Sequence, residues 1–142
     1  NTSRRMVIDE LGPYPLKISR DRVTVEEAEV KFLKPTHDVL SFPNKITDAD
    51  FDGWVQERGL YFPNEWDDKY ETVISMSDPG EEAKEGSLLV TKYGKGSYIY
   101  TGLSFFRELP AGVPGAYRLL VNLISYGKKQ EIQMEIESGQ KK

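Results

Sequence analysis

Apolar and polar positions alternate over several short stretches of this chain, and only one stretch keeps a helical period. Residues 14–19 place Tyr14, Leu16 and Ile18 on one side, which predicts a strand, with Pro13 and Pro15 holding its start to a sheet edge. Residues 29–33 alternate again and predict a second strand. Lys34-Pro35-Thr36-His37-Asp38 reads as a turn, with Val39 and Leu40 in a single helical turn after it. Thr47 opens a short helix through Phe51, its end capped by a box-like pairing with Asp50. Residues 54–62 are dense in aromatic and β-forming side chains and predict extended chain, followed by a Trp-anchored loop over 64–70 and a strand over 72–76.

Residues 77–86 collect turn formers and predict a connection. The clearest unit follows: strands over 87–93 and 97–101, joined by Gly94-Lys95-Gly96 as a hairpin. Residues 103–109 predict an irregular loop. Leu119, Leu120, Leu123 and Ile124 then recur at helical spacing within 116–126, with Pro114 at the first turn and Gly127 as the stop. In the polar stretch 128–142, Ile132, Met134 and Ile136 alternate as a last strand would, before a frayed end. The predicted fold class is α+β, with a mixed, largely antiparallel sheet and a C-terminal helix. The domain division is 1–127 with a polar tail over 128–142.

Composition narrows the chemistry. The 142 residues carry a net charge of −4 and a pI near 5.1, which argues against a nucleic-acid partner, whose footprint is a basic face. No apolar run approaches the ~20 residues a membrane-spanning helix needs. Cysteine is absent and His37 is the single histidine, which removes disulfides, thiolate nucleophiles and multi-histidine metal sites. No cofactor is expected. The opening Asn1-Thr2-Ser3-Arg4-Arg5 reads as an interior cut of a longer protein.

Three constellations offer candidate sites. Asp48, Asp50 and Asp52 with Gly53 resemble the first half of a calcium loop, but its twelfth position is Gly59 and Glu57 falls two residues short. A capped helix start is the competing reading. His37 beside Asp38 reads as a turn histidine in preference to a catalytic one. Trp54, Glu57, Arg58 and Tyr61, with Trp66 beyond them, could form an aromatic edge for a sugar or a partner, or a core strand with a paired acid and base. Glu26-Glu27 and Glu81-Glu82 read as solvated charge, and Tyr93-Gly94-Lys95-Gly96 as a hairpin turn and not a phosphate cradle.

Gly86 through Phe106, with its Gly-Lys-Gly turn, resembles the late hairpin of class I glutamine-amidotransferase-like (ThuA-like) domains, and Pro110 through Leu123 is similar to their closing helix. His37 through Phe62 looks like the amidotransferase-like C-terminal region of bacterial PIG-L (LmbE-like) sugar de-N-acetylases. The resemblance implies the C-terminal part of a flavodoxin-like three-layer domain. It lacks the family's cysteine nucleophile, and Leu103-Ser104-Phe105 stands where the family's histidine would be. That combination implies a non-catalytic accessory domain of an envelope-located or secreted carbohydrate-processing protein. Its job would be interdomain packing, oligomerisation or glycan binding, with the missing N-terminal part of its own chain, a second copy or a glycan as partner. Two alternatives stand beside it. One is a carboxylate-dependent hydrolase of a sugar or amide using His37, Glu57 or Asp52, and the other is a calcium-stabilised module using Asp48, Asp50 and Asp52.

Overall fold

The computed structural model describes residues 11–139, an α+β arrangement of small antiparallel sheets with helices gathered toward the C-terminal end. The strands are β1 (Leu16–Val23), β2 (Val30–Phe32), β3 (Gly59–Trp66), β4 (Glu71–Thr72), β5 (Ile74–Met76), β6 (Leu88–Tyr93) and β7 (Gly96–Thr101). The helices are α1 (Asp38–Ser41), α2 (Phe105–Glu108), α3 (Pro114–Ile124) and α4 (Lys128–Gly139), with a 3₁₀ turn at Asp48–Phe51. Strand β1 pairs with β3, β2 with β5, and β4-β6-β7 form the third sheet, every pairing antiparallel.

The hairpin β6–β7 follows its pattern closely. Leu88, Leu89, Val90 and Thr91 are buried while Lys92 and Tyr93 reach solvent at the tip. Tyr93 faces Gly96 across a tight two-residue turn, one residue shorter than the glycine spacing predicts. Gly94 adopts φ +57°, the left-handed conformation that primed hairpin turns require at this position.

Several boundaries differ from the sequence pattern. The predicted extended run 54–62 is a bend until Gly59, and β3 continues through the predicted loop to Trp66. Gly59 sets that starting point, because a Cβ there would stand 2.3 Å from the Gly102 carbonyl oxygen. Residues 105–108 wind into α2, whose Glu108 is wholly buried. Residues 128–139 form a helix and not a strand. Ile132 and Ile136 fit both periods, being four apart, and the Gln, Met and Glu between them are strong helix formers. Both isoleucines remain about half exposed, at 45% and 50%.

The main core joins Val39, Leu40, Phe51, Trp54, Phe62, Ile74, Leu88, Val90, Ala116 and Leu119, among others. Helix α3 buries Gly115, Ala116, Leu119 and Asn122, whereas Ile124, which shares the helical spacing of Leu119, Leu120 and Leu123, is 72% exposed. Asn122 takes the core place because the loop before the 3₁₀ turn needs it. Its Nδ2 donates to the Val39 and Asn44 carbonyls (3.0 and 2.7 Å) and its Oδ1 accepts from the Asn44 amide (2.9 Å). Buried backbone groups cost free energy when unpartnered, so one amide side chain settles three of them. Gly115 lets α3 touch the 3₁₀ turn, since a Cβ would lie 1.8 Å from the Asp50 carbonyl oxygen.

Candidate functional site

The 3₁₀ turn begins with Thr47, whose amide donates to Asp50 Oδ2 at 2.8 Å. The other Asp50 oxygen, Oδ1, accepts from Arg118 Nε at 2.7 Å. Asp50 therefore faces its own helix start and α3. Among the described residues, no group of three or more His, Cys, Asp or Glu side chains could hold a metal ion. The Asp48–Asp50–Asp52 alternation is a capped turn, which corrects the calcium-loop alternative.

Arg58, Trp54 and Glu57 are built into the protein. Trp54 is 3% exposed, packs on Phe51 and Phe105, and donates its indole N–H to the Asp50 carbonyl at 3.0 Å. Arg58 is 5% exposed. Its Nε donates to the Ala28 carbonyl at 3.0 Å and its Nη1 to the Phe51 carbonyl, with the guanidinium over the Phe51 and Trp54 rings. Burial lowers its pKa from the ordinary value, and the nearby charges of Asp52, Glu108 and Glu27 act the other way. Glu57 Oε1 accepts from Arg107 Nε at 2.6 Å. Beneath these residues, Ser104 Oγ donates between the Glu57 carbonyl (2.7 Å) and Glu108 Oε1 (3.0 Å), and Glu108 Oε2 accepts from the Val55 amide (2.9 Å). Ser104 and Glu108 are sealed from solvent, so the pair holds the 55–58 bend against α2.

His37 serves as the cap of α1, its Nδ1 accepting from the Val39 amide at 3.3 Å, and its ring stacks on Tyr126 at 5.4 Å. Burial lowers its pKa. Lys34 lowers it further, while Glu71 and Asp38 partly oppose the shift. His37 and Glu57 are thus committed to separate structural partners, and Asp52 lies beside Arg58 in a different cleft.

Trp66 is the aromatic residue of the predicted set that the structure brings to a cleft. It ends β3, half-buried, and lines two surface clefts. The larger, about 560 Å³, is bounded by Asp21, Asn64 and Trp66 on the β1–β3 ribbon and by Glu81, Glu82, Lys84 and Glu85 on the following loop. The second, about 450 Å³, runs over Pro15, Lys17, Glu65 and Asp67 beside the same indole.

Both walls of the larger cleft are fixed. Asp78 anchors one end of the loop, accepting from the Thr24 amide and hydroxyl (2.9 and 2.8 Å) and from the Val25 amide (2.9 Å). Burial alone would raise its pKa, but the hydrogen bonds from Val25 and Thr24 prevail and hold it below the ordinary value. Lys84 exchanges backbone bonds with Met76 (2.8 and 3.1 Å), and Gly86 approaches the Pro63 carbonyl so closely that a Cβ would sit at 2.1 Å. On the ribbon, Tyr61 is held at φ +59°, and its carbonyl accepts from Tyr100 Oη at 2.5 Å, turning β3 just before Pro63 and Asn64. Tyr61 thus shapes the cleft wall without being one of its lining residues.

The cleft offers four carboxylates, one ammonium, one amide and an indole. Lys84 Nζ is already paired with Glu81 at 2.5 Å. Carboxylates and amides accept and donate in pairs to vicinal hydroxyls, and an indole face packs on C–H surfaces. Neither Asn64 nor the wall-forming loop stands out in the sequence. The signal would be the Pro63-Asn64-Glu65-Trp66 strand end, which reads as a loop when Gly59 is taken as an interruption.

No family model matches this chain, and no curated protein or solved structure is significantly similar to it.

Proposed function

We propose that this chain is a non-catalytic binding domain that takes a glycan in the cleft beside Trp66. The observation that carries this reading is a half-buried indole set between two clefts, with Asn64, Asp21 and the Glu81–Glu85 loop placing hydrogen-bonding groups around it. Aromatic faces with a few fixed polar groups are the usual composition of small-ligand sites. The commitment of His37, Glu57, Ser104 and Glu108 to internal partners supports a binding role over a hydrolytic one.

The parent would be a carbohydrate-processing protein of the PIG-L type, secreted or in the bacterial envelope, with this chain the C-terminal part of an amidotransferase-like, flavodoxin-derived domain. The order of a late antiparallel hairpin, a Gly102 crossing and a closing helix at Pro114–Ile124 supports that reading. Interdomain packing against the preceding part of the parent, or pairing with a second copy, would accompany glycan binding. No helix among the described residues is long and apolar enough to cross a membrane.

Isothermal titration with chitotetraose and cellotetraose tests the proposal. Saturable binding of either, lost in Asn64→Ala/Asp21→Ala with an unchanged melting temperature, is expected. The absence of binding to both oligosaccharides and to a broad glycan panel would overturn it.

A further inference from the structure

A third cleft, about 320 Å³, lies where the turn before β2 meets the 3₁₀ turn. Glu27, Glu29, Asp48 and Asp52 are exposed around it, and Arg58 is its buried cation. We propose that this cleft binds a small zwitterion, of the class of free α-amino acids, with its carboxylate on Arg58 Nη2 and its ammonium among the rim carboxylates.

The guanidinium is the starting point. Nε and Nη1 are spent on the Ala28 and Phe51 carbonyls, while Nη2 donates to no group of the described residues. It is also not sealed from solvent, since among the described residues the one buried side-chain polar atom without a partner is Ser87 Oγ. Among the described residues, no carboxylate stands within ion-pair distance of Arg58. Glu108, which acts on it through space, has given its oxygens to Val55 and Ser104. A buried charge without a hydrogen-bonded counter-ion is costly, and an incoming carboxylate on the free Nη2 would supply one.

The rim decides which carboxylate can enter. A simple anion must pass four acidic side chains, of which, among the described residues, Glu29 alone makes an ion pair, with Lys31 at 3.9 Å. A simple cation satisfies the rim and then meets the guanidinium. A molecule carrying both charges matches both layers, and the volume is at the small end for ligand sites. The inference rests on Arg58 and its rim alone and does not depend on the Trp66 cleft.

Isothermal titration of the full chain with L-alanine and glycine, and with propionate and ethylammonium as the separated halves, tests it. Millimolar, saturable binding of the amino acids is expected, with each half at least about tenfold weaker. Glu27→Gln/Asp52→Asn should weaken L-alanine by about tenfold or more and strengthen propionate, at an unchanged melting temperature. Arg58 itself is left intact because its loss would compromise the fold. Propionate or ethylammonium binding as tightly as L-alanine, or no binding of either amino acid, would overturn the proposal.

Discussion

Arg58→Met separates a core arginine from a ligand-contacting one. Methionine keeps the length of the side chain and its contact with the Phe51 and Trp54 rings, but it removes the donors to the Ala28 and Phe51 carbonyls. Each carbonyl left unpartnered in a buried place costs about 1–3 kcal/mol. Removing a desolvated charge returns part of that, because burial itself disfavours the guanidinium. The balance is a loss of about 3 kcal/mol, a large fraction of the stability of an ordinary domain. With a urea slope of about 1.5–2 kcal/mol/M, the unfolding midpoint should fall by about 1.5–2 M. Arg58→Lys keeps the charge but cannot fork to two carbonyls at once, so a loss of about 1–2 kcal/mol is expected. Urea titrations followed by tryptophan fluorescence read both, since Trp54 lies against the site. A midpoint for Arg58→Met within about 0.3 M of the parent would refute the reasoning, because orphaned buried carbonyls could not then be present.

Other perturbations follow from the same geometry. Gly115→Ala places a methyl 1.8 Å from the Asp50 carbonyl oxygen and should cost at least about 2 kcal/mol as α3 leaves the 3₁₀ turn, measured by thermal melting. Gln56 is exposed at φ +68°, so Gln56→Gly should stabilise by about 0.5 kcal/mol, relief of the left-handed strain exceeding the entropy glycine adds to the unfolded chain. The pKa of His37 is lowered in the folded state from 6.5, so its contribution is complete above that pH and declines as the pH falls below it. Urea stability should therefore drop between pH 7.5 and 5.5, and His37→Asn, which preserves the α1 cap, should flatten that slope.

What the sequence made legible was local. The β6–β7 hairpin, the 3₁₀ turn at Thr47 and the α3 helix each follow from a period, a glycine or a capping residue within a few positions. The failures were tertiary. Trp54 and Arg58 look like a binding edge beside Tyr61 because their types suit one, and only the fold shows the guanidinium tying Ala28 to Phe51. Asn122 reads as a polar interruption of an apolar helix face, yet three backbone groups from residues 39 and 44 make it the core residue. The strand β3 is concealed by Gly59, whose reason lies in the Gly102 backbone more than forty residues later. Residues 128–139 carry a spacing shared by strand and helix, and their helix-forming composition decides between them. The calcium pattern of Asp48, Asp50 and Asp52 fails for a similar reason, since Arg118 on α3 claims the central carboxylate.

Trp66 provides the most direct test of the central proposal. Titration of the chain with chitotetraose, followed by tryptophan fluorescence and repeated on Trp66→Phe, isolates the half-buried indole from buried Trp54. The account predicts a saturable change in the parent, abolished in Asn64→Ala/Asp21→Ala and smaller in Trp66→Phe, which still carries Trp54. An undiminished signal in Trp66→Phe, or binding untouched by the cleft variants, would contradict it.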